Sequence, residues 1–346
     1  MLAFQGKRGY INLGRFEAPV PVKNDPARGK EKIMENTTFN KEELLQIKGD
    51  TPVEGFEAFW RAQYAAARSW KCSYTVESEL WSPSPDCRIY RIRFNSIDGI
   101  PIGMWIARPR ESTGGLLSAH GYGHPTTPPV AASPGRTIAV PCVRGLGLSQ
   151  CKEIPWQKDA HALYGFDSPE HYVITGGVRD LWIALTIMID MFPDTAENIV
   201  CGGGSLGGGM STMCIPWDDR IHYGDVNIPT LGGRILLDYP VAPGSPGEAR
   251  RLKALESEDA MRIIDFCNAA AAARFIRVPT IVTPALCDKV VPPPGQFAIA
   301  NSIPEKYRIM RIREVGHAPA TEADKAMEEE LTELRAKLFV PRRKNS

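Results

Sequence analysis

The stretch from residue 199 to residue 214 reads IVCGGGSLGGGMSTMC. Its first three residues are apolar and predict a short buried strand, and its last five predict a short helix. Between them, Gly203, Ser205 and Gly207 form the pattern G-x-S-x-G, which is typical of a nucleophilic serine on a sharp strand-to-helix turn. Glycines two positions before and after the serine let the strand and the helix pass close to it. We therefore predict that Ser205 is a catalytic nucleophile.

The same glycines also fit a phosphate-binding loop. A Walker loop needs Gly-Lys followed by Ser or Thr, which is absent here, and a dinucleotide-binding loop needs an acidic residue about 20 positions further on. Asp225 stands at that distance from Ser205. However, we expect no second strand of a βαβ unit to follow the stretch at that point, so the nucleophile is the favoured interpretation.

Short apolar runs elsewhere predict the rest of a sheet. Helical patterns lie between several of these runs, the clearest at residues 178–192. Strands that are buried on both faces and separated by helices indicate a mostly parallel sheet. The predicted strands lie at residues 116–119, 137–140, 199–201, 235–237 and 280–282.

The N-terminal part of the sheet follows a different pattern. Residues 88–94 and 100–107 flank a turn at 96–99, which predicts an antiparallel pair at the sheet edge. We expect an α/β fold with a mostly parallel sheet, an antiparallel N-terminal edge and helices on both faces. Residues 1–50 are interpreted as an N-terminal arm, and residues 51–346 as a single domain.

A nucleophilic serine needs a histidine as its general base, and the chain has six. His317 follows a strand-like run at residues 307–313 and precedes the last predicted helix, which begins at Thr321. We therefore predict that His317 is the base. The other histidines are His120 and His124 in a glycine-containing loop, and His161, His171 and His222, which lack such a context.

The third member of such a triad is an acid that orients the histidine and stabilises its charged form. Asp288 lies in a loop after the predicted strand at 280–282, between the nucleophile and the base in chain order. Asp238 is the rival because it follows the predicted strand at 235–237. We favour Asp288.

Backbone N–H groups must also stabilise the oxyanion that forms on the substrate. The N–H of Leu206, directly after the nucleophile, is one predicted donor, and the N–H of Tyr122 in the loop AHGYGH at residues 119–124 is the other. His120 and His124 in that loop have the spacing of a metal-binding pair only on a helix, and the two glycines between them argue against a helix.

The composition excludes several classes of protein. The chain has 346 residues, with 41 Lys and Arg against 40 Asp and Glu, so we expect no general attraction to nucleic acid or to anionic membranes. No run approaches the ~18 to 20 apolar residues of a membrane span, and the first residues lack the apolar core of a signal peptide. The eight cysteines include no CxxC pair, so metal-finger spacing is absent. We expect a cytoplasmic protein.

Several motifs in order resemble those of the acetyl xylan esterase and cephalosporin C deacetylase family, carbohydrate esterase family seven. The likeness runs from about Phe56 to His317. FEAFW at 56–60 resembles the family's DFxxFW helix, HGY at 120–122 its oxyanion loop, and RGLGLS at 144–149 its RGQGxS motif. The serine turn resembles its GGSQGG, and LCDKVVPP at 286–293 resembles its acid loop.

The resemblance implies an α/β-hydrolase fold and a cytoplasmic homo-oligomer, ring-like and often hexameric. It implies removal of small acyl groups, chiefly acetyl, from sugars and similar alcohols, without a metal or a cofactor. On this basis Ser205, Asp288 and His317 form the catalytic triad. Leu146 and Leu206 stand where the family has glutamines, and Ala318 stands where it has glutamate, so the natural substrate stays open.

Two alternative functions remain open from the sequence. One is a serine peptidase or amidase of the prolyl-oligopeptidase type, whose core motifs overlap with these. The other is a non-catalytic hydrolase-fold protein used for binding or assembly, which the two leucines at the glutamine positions allow.

Overall fold

One sheet of nine strands organises the part of the chain that the computed structural model describes, namely residues 39–83, 86–123, 135–239, 241–314, 316–317 and 322–339. The strand order is β1-β2-β3-β5-β4-β6-β7-β8-β9. The strands are β1 (Tyr74–Pro83), β2 (Asp86–Asn95), β3 (Pro101–Pro109), β4 (Gly115–Ala119), β5 (Thr137–Pro141), β6 (Ile199–Gly204), β7 (Ile221–Asn227), β8 (Thr280–Thr283) and β9 (Arg308–Met310).

The sheet changes from antiparallel to parallel pairing at β5. Strands β1, β2 and β3 pair antiparallel, and β3 also pairs antiparallel with β5. From β5 through β4, β6, β7 and β8 to β9, all neighbours are parallel. This confirms the predicted fold class, including its antiparallel N-terminal edge.

Helices pack around this sheet. They are α1 (Lys41–Gln46), α2 (Phe56–Ser69), α3 (Lys158–Ala162), α4 (Val173–Met191), α5 (Leu206–Cys214), α6 (Pro246–Ala254), α7 (Glu258–Phe266), α8 (Ala269–Ala273), α9 (Pro293–Ser302) and α10 (Glu322–Leu338). Helix α4 is almost wholly buried, as its apolar pattern predicts. In α2, Phe56 and Trp60 are buried, and the Trp60 indole donates to the carbonyl of Phe266 at 2.9 Å. The FEAFW motif is therefore a core anchor.

Two expectations about strands are wrong. Residues Arg234–Leu237 form a 3-10 turn, because Gly233 adopts φ +89° and turns the chain out of the sheet direction. In addition, β7 follows α5 after a 3-10 turn at Ile215–Trp217 and pairs parallel with β6, so a β6-α5-β7 unit is present after all. Asp225 lies on β7, where its carboxylate pairs with Arg335 at 2.7 Å, so it is engaged within the protein.

Only residues 39–50 of the predicted N-terminal arm fall within the described chain. Leu44 in α1 is buried, and its carbonyl accepts a hydrogen bond from Asn301 of α9. The Asp50 carboxylate accepts from the amide of Asn268 at 2.7 Å. These contacts join the segment to the rest of the domain.

Candidate active site

Ser205 lies on the turn between β6 and α5, in a backbone conformation that few residues adopt. Its φ is 56° and its ψ is −123°. Such a strained conformation persists only where the surroundings enforce it. The Ser205 N–H donates to the carbonyl of Asn227, and the Ser205 carbonyl accepts from the N–H of Thr230. Neighbouring backbone therefore holds the serine at the tip of the turn.

The glycines on both sides of Ser205 are required by close packing. A Cβ atom built on either Gly203 or Gly207 would overlap the carbonyl oxygen of Ala119 at the end of β4. Gly204, by contrast, has room, since the nearest atoms to its Cβ position are 3.8 Å away. The pattern G-x-S-x-G thus marks the two positions where a side chain cannot fit.

Asp288 and His317 form the second part of the site. The His317 Nδ1 donates to Asp288 Oδ2 over 2.8 Å. The Asp288 side chain is fully buried, whereas that of His317 is 25% exposed. Asp288 Oδ1 accepts from the N–H groups of Val290 and Val291 at 2.8 and 2.9 Å. These donors stabilise a negative carboxylate, which in turn fixes which nitrogen of His317 carries the proton.

Gln296 of α9 is a positioning residue that sequence reasoning missed. Its Nε2 donates to Asp288 Oδ2 at 2.9 Å and to the Val291 carbonyl at 2.7 Å. Its Oε1 accepts from the Ala285 N–H at 2.9 Å, and the side chain is fully buried. The sequence feature that could have pointed to Gln296 is its position as the single amide side chain in the apolar run PPPGQFAIA at residues 292–300.

The other acidic and histidine candidates occupy different places. Asp238 is exposed at the end of the 3-10 turn. His120 accepts from the Val143 N–H through Nε2, and His222 accepts from the Ile199 N–H through Nδ1. His171 is exposed beside Asp167. His124 lies outside the described residues, as does Thr321.

The loop after β4 brings the predicted oxyanion donors to the nucleophile. A Cβ built on Gly121 would lie 3.4 Å from Ser205 Cβ and 3.7 Å from its Oγ. Within the described residues, neither the N–H of Tyr122 nor that of Leu206 donates a hydrogen bond to the protein. Leu206 is the first residue of α5, where N–H groups have no partner inside the helix and the helix dipole is positive.

The Tyr122 side chain is anchored by a chain of hydrogen bonds that leads to the RGLGLS motif. His161 Nε2 donates to the Arg144 carbonyl at 2.8 Å, which leaves Nδ1 to accept from the Tyr122 hydroxyl at 3.2 Å. Burial lowers the pKa of His161 and so favours this neutral form. His161 is thus a second positioning residue that the sequence did not reveal.

The Arg144 guanidinium in turn holds this loop in the core. It pairs with Asp180 at 2.8 Å and with Asp98 at 2.6 Å, and only 2% of its side chain is exposed. Burial alone would lower the pKa of Arg144, but the two carboxylates raise it above its usual value. A buried cation with two partners keeps its charge, so the motif contributes structure rather than a reacting group.

A cavity of about 110 Å³ opens beside Ser205. Tyr122 and Leu206 share its wall with Ser205, so the cavity reaches the predicted nucleophile and both predicted oxyanion donors. Much of the remaining wall is apolar, with residues from the 3-10 turn and from 290–292, and α6 adds two arginines, Arg250 and Arg251.

The structure thus places most, but not all, of the predicted site residues close to one another. Ser205, Tyr122 and Leu206 meet at the cavity, and Asp288 meets His317. Among the described residues, the Ser205 hydroxyl makes no hydrogen bond to His317. Such catalytic hydrogen bonds are often long before substrate binds.

The described residues contain neither a metal-ligand cluster nor a membrane-spanning helix. In that part of the chain, no three His, Cys, Asp or Glu side chains lie close enough together to hold a metal ion. None of the described helices combines the length and the apolar character needed to cross a bilayer.

Comparisons with known proteins identify the family and the fold of this chain. The family model described as acetyl xylan esterase matches residues 34–235, which is more than half of the chain. Among solved structures, an acetyl xylan esterase from Paenibacillus sp. R4 has a TM-score of 0.70 at 21% identity, covering 86% of this chain and 99% of that one. Acetyl Xylan Esterase 1 from Thermoanaerobacterium sp. JW/SL YS485 has a TM-score of 0.70 at 20% identity, with the same coverage.

A more distant likeness is to an acylaminoacyl peptidase from Pyrococcus horikoshii. Its TM-score is 0.55 at 15% identity, and the match covers 75% of this chain but 43% of that one. At these identities the solved structures establish a shared fold, the α/β-hydrolase fold, whereas the family model establishes family membership.

Proposed function

The chain belongs to the acetyl xylan esterase family and is a carboxylic ester hydrolase, and from this premise we propose that it removes acetyl or other short acyl groups from sugars or related alcohols. The proposed catalytic residues are Ser205, Asp288 and His317. The observation that carries the proposal is the 2.8 Å hydrogen bond between Asp288 and His317, in a chain whose Ser205 stands on a strained turn beside a cavity.

The proposed reaction proceeds through an acyl-enzyme. His317 Nε2 takes the proton of Ser205 Oγ, and this oxygen attacks the carbonyl carbon of the ester. The negative charge that develops on the carbonyl oxygen is stabilised by the N–H groups of Tyr122 and Leu206. The alcohol leaves with the proton from His317. Water, deprotonated by His317, then attacks the acyl carbon and releases the carboxylic acid and free Ser205.

The direct test compares wild type with Ser205→Ala. We expect the variant to lose both labelling by a fluorophosphonate probe and hydrolysis of p-nitrophenyl acetate. Ser211→Ala is the matched control, because Ser211 is a buried serine of α5 whose hydroxyl has no hydrogen-bond partner among the described residues. Esterase activity that persists in Ser205→Ala would exclude Ser205 as the nucleophile.

The same assay separates the two alternative functions. Hydrolysis of peptide or p-nitroanilide substrates at a higher kcat/KM than esters would favour a peptidase or amidase. A well-folded wild type that reacts with neither the probe nor any ester would favour a binding protein.

We also propose that the protein is a cytoplasmic homo-oligomer that forms a ring, with a hexamer as the expected state. Apolar side chains on the edge strand β1 support self-association, since Leu80 is 54% exposed and Trp81 is 65% exposed. Size-exclusion chromatography with light scattering measures the subunit number, and a monomer at micromolar concentration would contradict the proposal.

A further inference from the structure

The cavity beside Ser205 has positive charge in an otherwise apolar wall. Arg250 and Arg251 of α6 line it, and none of its described lining residues is an aspartate or a glutamate. Neither arginine forms an ion pair with a described residue. The apolar part of the wall consists of Leu206, Leu231, Leu236, Leu237, Val241, Pro246, Ile264, Val290, Val291 and Pro292.

The remaining titratable groups of the wall do not neutralise this charge. Burial raises the pKa of Tyr122 to about 12 and that of Cys267 to about 12, so both are uncharged near neutral pH. Burial also raises the pKa of Tyr172, although the charge of Arg250 and its hydrogen bond to the phenol oppose this effect. The cavity wall is therefore positive as a whole.

The two arginines differ in their hydrogen bonds. Arg251 Nε donates to the carbonyl of Leu237 at 2.7 Å, which ties α6 to the 3-10 turn. Arg250 is half-buried and its guanidinium contacts the Tyr172 side chain, but its Nε is buried and has no hydrogen-bond partner in the described part of the chain. A buried N–H donor without a partner is costly, and an anionic oxygen of a ligand would satisfy it. Arg250 is thus the group that a bound anion would meet.

The position of the cavity shows which half of an ester it can hold. The leaving alcohol must reach His317, which donates a proton to it. The described lining residues include Ser205, Leu206 and Tyr122 but not His317. A cavity that touches the nucleophile and both oxyanion donors, but not the acid that protonates the alcohol, holds the acyl group.

The size of the cavity exceeds that of an acetyl group. Its 110 Å³ is several times the ~30 Å³ that one water occupies in the liquid, and it approaches the ~150 Å³ of an apolar cavity that binds benzene. An acyl chain of several carbons would fill it, and apolar walls favour the methylene groups of such a chain.

We propose that this cavity binds an acyl group with a negatively charged end, so that the substrate is a half-ester of a short dicarboxylic acid whose free carboxylate binds Arg250. The inference rests on the proposed function and narrows its acyl group. Hydrolysis adds one water across the ester bond and yields one alcohol and one dicarboxylate, with no other reactant.

The test compares two esters that differ in this charge, monoethyl glutarate and ethyl pentanoate, with acid release followed in a pH-stat. Ethyl esters are chosen because ethanol is a poor leaving group, which keeps attack by the substrate's own carboxylate slow. We expect wild type to show about a 10- to 100-fold higher kcat/KM for the half-ester, the size expected for a hydrogen bond between charged groups. In Arg250→Gln, most of this preference should be lost.

Two variants control the result. Arg250→Lys keeps the charge and should retain part of the preference. Lys253→Gln removes a positive charge from the same helix, at an exposed residue that pairs with Glu256, and should leave the preference unchanged. Calorimetric titration of Ser205→Ala with glutarate and pentanoate provides a readout that does not depend on turnover, with tighter binding expected for glutarate.

The outcomes separate this proposal from the proposed function. Hydrolysis of p-nitrophenyl acetate that requires Ser205, together with no preference for the half-ester, would overturn the dicarboxylate proposal alone. An equal loss on both ethyl esters in Arg250→Gln would also overturn it, because the arginine would then support the fold rather than bind the anion. Absence of all Ser205-dependent hydrolysis would overturn the proposed function instead.

Discussion

Replacing Gln296 with leucine tests whether this buried amide positions the acid and base of the site. The change removes three hydrogen bonds, to Asp288, to the Val291 carbonyl and from the Ala285 N–H. Ala285 is fully buried and Val291 is 6% exposed, so both backbone groups would lose a partner away from water. At about 1–3 kcal/mol for each of these two buried unsatisfied groups, we expect the free energy of unfolding to fall by about 2–6 kcal/mol.

The effect on catalysis follows from the contact with Asp288. Gln296 supplies one of the four donors that described residues give to that carboxylate, and without it the Asp288–His317 pair is less firmly held. Loss of a hydrogen bond to a charged group costs about 1.5–3 kcal/mol, which corresponds to a drop in kcat of about 10- to 100-fold. KM should change less, because Gln296 does not line the cavity.

Asn301→Leu is the matched control, since Asn301 is an amide on the same helix α9 that donates to the carbonyls of Leu44 and Ile47. Urea unfolding gives the stability of both variants, and p-nitrophenyl acetate hydrolysis gives kcat. We expect Asn301→Leu to lower stability while keeping kcat. If the two variants lose kcat to the same extent at temperatures where both are folded, the positioning role of Gln296 is refuted.

Two further predictions concern the turn and the oxyanion loop. Gly207→Ala places a Cβ against the Ala119 carbonyl and 2.9 Å from the His120 backbone nitrogen. We expect the free energy of unfolding, measured with urea, to fall by about 1–3 kcal/mol and most esterase activity to be lost. Gly204→Ala, where a Cβ has room, should be tolerated, and equal effects of the two changes would contradict the packing argument. Burial holds the pKa of His161 below its usual 6.5, so below that pH the unfolded chain binds a proton more readily than the folded chain does. The free energy of unfolding should therefore decline as the pH falls below 6.5, until the pKa of the folded state is passed. His161→Gln, which can keep both hydrogen bonds, should lose that part of the decline in urea titrations at several pH values, and parallel pH curves for the two proteins would show that His161 does not titrate in this way.

The serine turn could be predicted from the sequence because its requirements are local. A strained serine between a strand and a helix needs glycines at fixed positions within a few residues, and the structure shows Gly203 and Gly207 against Ala119. The same holds for the strands at 116–119 and 137–140, whose four-residue runs mark buried parallel strands. The predicted strand at 280–282 is also confirmed, although its run has only three residues.

The wrong strand prediction at 235–237 arises because the same local sequence pattern is compatible with two different structures. Residues 235–237 are apolar as a strand would be, yet Leu236 and Leu237 line the cavity instead of joining the sheet. Three consecutive apolar residues predict burial, but they do not indicate whether a sheet or a cavity wall buries them.

The sequence by itself determined the α/β class, the antiparallel edge and the serine turn, because periodicity and glycine spacing are carried by neighbouring residues. Only the tertiary structure decided that Gln296 holds Asp288, that His161 links Tyr122 to Arg144, and that Arg250 faces the cavity beside Ser205. Those contacts join segments far apart in the chain, and a hydrogen bond between distant residues leaves no periodic trace in the sequence. Their partners become neighbours only once the sheet has brought its loops to one edge.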